Sequence, residues 1–150
     1  MSHSQLDILT GLARDARDQA GRLLAEERQT QQQTQAQLES LSRYRTEYAT
    51  RLQQAMRDGI DPATMYNYQQ FLASLDTALS RARQALAAQQ KRVQQSQQHW
   101  QQEQRKLSSY DTLASRRLLE EHRRQERHEQ KASDDFVTGR LARQLTDKTH

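Results

Sequence analysis

Apolar residues recur along this chain at alternating steps of three and four. In the N-terminal part they run Leu6, Leu9, Ala13, Ala16, Ala20, Leu23. The register then passes through Glu27, Thr30 and Thr34, takes an extra step of four to Leu38, and resumes as Leu41, Tyr48, Leu52 and Ala55. A second series runs Met65, Tyr68, Leu72, Leu75, Leu79, Ala82, Leu86, Gln89, Val93, Ser96, Trp100, Glu103, Leu107, Tyr110, Ala114. A 3.5-residue period kept over about seven heptads predicts a left-handed coiled coil. A disordered Gln-rich linker shares the polarity but does not predict the spacing.

Between the two series lies "RDGIDPAT", residues 57–64, with the single proline of the chain and one of its four glycines. Gly59 suits the left-handed position just past a helix. Asp61 is a good N-cap, and Pro62 then falls at the first helical position, where its missing N–H costs nothing. Ile60 and Met65 have the spacing of a hydrophobic staple. One short turn between two heptad arms predicts an antiparallel hairpin. The expected fold is therefore all-α: one elongated domain over 1–150, a long two-helix antiparallel coiled coil with an overhanging C-terminal helix. Helix 1 is expected over about 4–58, the turn at 59–61, helix 2 over about 62–137, and a weakly ordered tail at 138–150.

Position i of the first arm then faces roughly position 120 − i of the second. Tyr48 meets Leu72, Leu41 meets Leu79, and Trp100 meets Ala20 with Ala16 beside it. A large ring opposite small residues fills such a layer without voids. The centre of the seam brings Glu27, Thr30 and Thr34 toward Gln89 and Ser96. Polar layers lower stability but can fix register, and a weak, mobile middle is the other reading. Gly11 and Gly21 soften the first arm by about 1 kcal/mol each relative to Ala.

Composition narrows the function. Apolar residues are 33% of the chain, too few for a thick multilayer core, and 25 of the 150 residues are Gln. Cysteine is absent, so no disulfide or thiolate metal site exists. The N-terminus lacks an apolar signal core and no apolar run approaches a membrane span, so a cytosolic, soluble chain is expected. A net charge of +4 permits acidic partners but is too diffuse to name nucleic acid. Two helices offer no concave site with convergent polar groups, so an enzyme is not expected, nor any cofactor. His122 and His128 are six apart and fall on different helix faces, which argues against a metal site.

Two features point to binding. Tyr44 and Phe71 are large yet lie outside the 3–4 register, at nearly the height of Tyr48, Leu72 and Leu75. A two-helix coil cannot bury a second stripe, so they are expected to form an exposed apolar docking patch rather than to widen the seam. The second is "SRRLLEEHRRQERHEQKASDDF", residues 115–136, with six Arg/Lys against four Glu through Lys131. It keeps helix-forming residues beyond the end of its partner helix. It reads equally as a solvated charged helix or as a binding arm. No aromatic residue interleaves with the basic ones before Phe136, so base stacking is poorly supported and no nucleic acid is expected.

The chain resembles the flagellar type III export protein FliJ family. The matching pieces are "YRTEY" (44–48), "GI" (59–60), "NYQQFLASLD" (67–76), Trp100, "KLSSYDTLASR" (106–116) and "RHEQKASDDF" (127–136), in that order. The resemblance implies a non-enzymatic cytoplasmic component of the export apparatus, peripheral to the inner face of the membrane at the flagellar base. It implies an antiparallel coiled coil similar to the shaft of rotary ATPases. It implies three partners: the hexameric export ATPase, whose assembly it promotes, the cytoplasmic part of the export gate, and substrate chaperones that it recycles. The positions that match the family's gate surface are Gln37, Leu41, Tyr44, Tyr48, Phe71, Leu75 and Ala78, overlapping the off-register patch. Ala82 stands where a relative has a polar ring. The segment matching the ATPase contact is Arg127, Gln130 and Lys131. The alternative from another class is a generic coiled-coil scaffold with no ATPase partner.

Overall fold

The computed structural model describes residues 2–148. Two helices account for nearly all of them: α1 over His3–Asp58 and α2 over Pro62–Lys148. The all-α helical hairpin expected from the heptads is what forms. The described residues group into two compact units, Arg14–Gln104 and the set 2–13 with 105–148.

The chemistry of the turn follows its residues. Gly59 has φ 90°, a left-handed conformation that a Cβ would strain. The Asp61 carboxylate accepts from the Thr64 amide at 3.4 Å and from the Thr64 hydroxyl, and its carbonyl accepts from Met65 N at 3.0 Å. The two bonds from Thr64, its hydroxyl first, hold the Asp61 carboxyl below its ordinary pKa. At the other end α1 opens on a reciprocal capping box. Gln5 N donates to Ser2 Oγ at 3.2 Å and Ser2 N donates to Gln5 Oε1 at 3.0 Å.

In the Arg14–Gln104 unit the two arms run antiparallel. Arg45 Nε donates to Asp76 Oδ1 at 2.8 Å, Arg17 Nη1 donates to Gln104 Oε1 at 3.4 Å, and Gly21 packs on Trp100. In each pair the residue numbers add to 121, one more than the sequence rule. The seam of α2 falls on the predicted residues, from Met65 to Ala114, all buried or half-buried.

The seam of α1 corrects the sequence reading. Leu23, expected inside, is 44% exposed, and Leu24 is buried at 7%. Thr30 is exposed and Gln31 is half-buried in its place. The extra step between Thr34 and Leu38 is not needed. The inward face runs Leu6, Thr10, Ala13, Arg17, Ala20, Leu24, Glu27, Gln31, Thr34, Leu38, Leu41, Arg45, Tyr48, Leu52, Ala55, an unbroken alternation of four and three. Seeking an apolar residue at each step selects Leu9, Ala16 and Leu23. The helix instead buries the stems of Arg17, Gln31 and Arg45, whose polar ends reach outward.

Gly21 also has a role that composition does not reveal. A Cβ there would lie 3.2 Å from Trp100 Nε1 and 3.3 Å from Cδ1. The half-buried indole therefore packs on Gly21, next to buried Ala20. In the other unit, Leu6, Ala13 and Leu107 are buried, and every described residue from Leu118 to Asp147 is exposed. The stretch 138–148, expected as a weakly ordered tail, continues α2. Leu141, Ala142, Arg143 and Leu145 favour the helix and outweigh Gly139 and the weaker Thr138, Thr146 and Asp147.

Two outcomes are expected. Gly21→Leu displaces the indole, lowering the melting temperature and red-shifting the emission of the sole tryptophan. Trp100→Ala costs on the order of 2 kcal/mol, below the ~3–5 kcal/mol of a fully buried ring. The double variant is then less destabilised than the sum of the two, and additivity would break the Gly21–Trp100 contact. The second outcome concerns acid. Arg45, first by hydrogen bond and then by charge, lowers the Asp76 pKa, as Thr64 lowers that of Asp61. Both carboxylates stabilise the fold above their unfolded pKa, about 3.9, and that contribution is lost as pH falls through the depressed folded values. Stability is therefore expected to fall below about pH 4. The double variant Asp61→Asn/Asp76→Asn loses less over that range, as acid titration of the circular-dichroism melt would read.

Candidate docking surface

Five of the eight aromatic residues, Tyr44, Tyr48, Tyr66, Tyr68 and Phe71, lie in the turn-side half of the Arg14–Gln104 unit. Tyr44 and Tyr48 are one turn apart on α1, so they share a face. Their ring centroids are 4.9 Å apart. Phe71 reaches across from α2 to both, 4.4 Å from Tyr48 and 6.0 Å from Tyr44 in edge-to-face contact. Tyr68 stands 6.3 Å from Tyr48, and the Arg51 guanidinium lies 5.1 Å over the Tyr48 ring. These tilted and edge-on geometries are the favoured ones for aromatic pairs, and the Arg51 contact is a cation–π pair. The Tyr48 hydroxyl, as hydrogen-bond partner and then as a like charge, raises the Tyr44 phenol above its usual pKa. Tyr44 is thus neutral near neutral pH.

The cluster stays open to solvent. Tyr44 is 44% and Phe71 36% exposed, as their off-register positions require. Gln37 is exposed, and Leu41, Tyr48 and Ala78 are half-buried. Leu75 is buried at 7% in the seam, so it supports the patch from beneath and presents little surface of its own. Ala82 is half-buried. Two shallow depressions flank the rings. One is lined by Ala36, Gln37, Ser40, Leu41 and Tyr44, the other by Tyr48, Thr64, Asn67, Tyr68 and Phe71. The Arg45–Asp76 ion pair ties the two helices together between the layers of Leu41 and Tyr48.

The second candidate lies in the other unit. Arg127, Gln130 and Lys131 are exposed on neighbouring turns of α2. Leu118, Leu119, Phe136, Val137, Leu141 and Leu145 are each between 52% and 69% exposed. His122 pairs with Glu126 at 3.0 Å along the same helix. Among the described residues no three His, Asp or Glu side chains converge as metal ligands would. No helix among the described residues is long and apolar enough to cross a membrane.

Sequence reasoning passed over other exposed apolar residues. Ile8, Leu12 and Leu113 are exposed in this unit, and Met56 and Tyr66 are exposed in the Arg14–Gln104 unit beside the turn. The off-register test that singled out Tyr44 and Phe71 would have found them had it been applied to the whole chain.

Comparison with known proteins gives this geometry a family. The model of the flagellar FliJ protein family matches residues 1–146. The flagellar FliJ proteins of Salmonella typhi and of Escherichia coli K12 are each 33% identical over 135 residues, covering 90% of this chain and 92% of theirs. Among solved structures, CT670 of Chlamydia trachomatis, described as a YscO homolog, superposes with a TM-score of 0.69 at 14% identity. That superposition covers 98% of this chain and 94% of CT670, and it supports the fold. On the match over nearly its whole length, this chain belongs to the flagellar FliJ protein family.

Proposed function

We propose that this chain is a non-enzymatic coupling component of the flagellar type III export apparatus. It binds the hexameric export ATPase and promotes its assembly, contacts the cytoplasmic part of the export gate, and takes part in recycling export chaperones. It acts in the cytoplasm, peripheral to the membrane at the flagellar base. One observation carries the reading: from Leu118 to Asp147 every residue of α2 is exposed, six large apolar side chains included. A helix of that length, exposed on every side, is suited to enter a partner that surrounds it. A ring-shaped ATPase with a central opening fits, and membership of the flagellar FliJ family supports that partner.

In this reading Leu118, Leu119 and the apolar residues from Phe136 onward make the lasting contact. Arg127 and Lys131, with Gln130, lie at the rim of that contact. Buried apolar contacts set the lifetime of a complex, whereas rim charges set the association rate and its salt dependence. The Tyr44/Phe71 cluster, with Gln37, Leu41, Tyr48, Leu75 and Ala78, serves the gate. Exposed aromatic rings already in favoured geometry pay little ordering entropy on docking and are enriched among residues that dominate binding.

Truncation after Ser115 is expected to abolish stimulation of the export ATPase while gate binding survives. Equal stimulation by the truncated and full chains would place the ATPase contact elsewhere. Co-purification with no hexameric ATPase would favour a generic coiled-coil scaffold. Arg127→Glu with Lys131→Glu should slow association with the ATPase about tenfold or more at low salt, with dissociation little changed. Tyr44→Ala or Phe71→Ala should each weaken gate binding by about 1–2 kcal/mol with helicity intact. Lost helicity with unaltered binding would reassign the two rings to the core.

A further inference from the structure

The middle of the seam in the Arg14–Gln104 unit is polar on both helices. α1 contributes Glu27, Gln31 and Thr34; α2 contributes Gln89 and Ser96, with Val93 the one apolar seam residue between them. Thr34 and Ser96 are buried. Gln89 Oε1 is buried with no hydrogen-bond partner. Polar seam layers have two physical uses. They fix register through a bond across the seam, or they weaken the stretch that holds them.

The hydrogen bonds decide between the two. Among the described residues, no side-chain bond crosses from Glu27–Thr34 to Gln89–Ser96. Thr30 bonds within its own helix, to the Glu26 carbonyl at 3.1 Å. The bonds that do cross the hairpin are Arg17–Gln104 and Arg45–Asp76, one on each side of the polar stretch and both in the same register. Register is therefore already held at both flanks. The polar middle adds nothing to it, and it keeps a carbonyl oxygen from water without replacing the bond. Separation of the helices there returns Gln89 Oε1 to water and uncovers little apolar area.

The flanking layers differ. On one side Ala20 and Leu24 are buried near Trp100. Glu103 Oε2 is also buried and unpaired on that side, but the Trp100 contact and the Arg17–Gln104 bond resist opening beside it. On the turn side Leu75 and Leu79 are buried beneath the aromatic cluster. Opening either flank uncovers apolar surface.

We infer that Glu27–Thr34 and Gln89–Ser96 form a built-in opening point, where the two helices part first while both flanks stay paired. Opening here frees the aromatic-bearing half of the unit to reorient against the Trp100 half without loss of either apolar cluster. Freed of their seam contacts, eight-residue helix stretches fray readily, since helicity in water rests on packing.

Amide hydrogen exchange of the full chain, read by mass spectrometry, tests this. Amides at 27–34 and 89–96 are expected to exchange at least tenfold faster than those at 38–48 and 72–79. The variant Thr34→Leu/Gln89→Leu closes the seam with apolar side chains. It is expected to slow exchange in the polar stretch at least tenfold, with the flanks little changed. Uniform protection in the unaltered chain would overturn the inference. So would a folded variant whose polar stretch still exchanges fast. If that variant does not fold, the smaller change Thr34→Val/Gln89→Met puts the same question.

Discussion

A pair of helices can bury one stripe of side chains between them, and everything else in this structure depends on that limit. In the Arg14–Gln104 unit the whole core is the single 4–3 seam, and each of its layers holds one or two residues per helix. A side chain is either in the seam or in water, with no second layer to receive it. Tyr44 and Phe71 are therefore exposed by geometry rather than by a defect of packing. The same limit makes the seam sensitive to single positions: where Trp100 enters, a Cβ at the facing Gly21 would press on the indole.

The limit also explains where polar residues are used. A two-residue layer gives little apolar energy, so polar substitutions in the seam trade modest stability for something else. At Arg45–Asp76 the return is alignment of the two helices, through a forked contact of 2.8 and 3.4 Å. At Arg17 the stem packs in the seam while the guanidinium reaches both Gln104 and Asp18. At Gln89 there is no partner and no alignment, so the same kind of substitution gives only weakness.

The sequence was most legible where the seam is apolar. Along α2 every seam residue from Met65 to Ala114 could be read off, because a leucine, aromatic or alanine marks nearly every step. Along α1 the reading slipped by one residue at Leu23, because Leu24 is its neighbour and both are leucine. Only the polar positions Arg17 and Gln31 carry the true phase through that region, and their type gives no sign of burial. The Ser2–Gln5 capping box was present in the sequence and went unread. The docking patch was legible because large residues outside a known register have no place to hide. The burial of Leu75 was legible too, because it stands in the 3–4 series of α2. What docks there is written in the surface of the other molecule.

The stretch from Leu118 to Asp147 shows how an exposed helix carries large apolar side chains among charged ones. Six large apolar residues are exposed, but they are spread in groups of one or two separated by Arg, Glu, His and Asp. Pairs such as His122–Glu126 lie at i, i+4 and support the helix from within its own turns. Such support is worth only a few tenths of a kcal/mol per pair. Helices in proteins gain most of their stability from tertiary packing, and the exposure of this stretch shows how little of it is in place. Binding would thus supply the packing as well as the affinity. The interleaved charges keep the apolar groups dispersed, while Val137, Leu141 and Leu145 recur at i, i+4 and i+8, where one partner can cover them together.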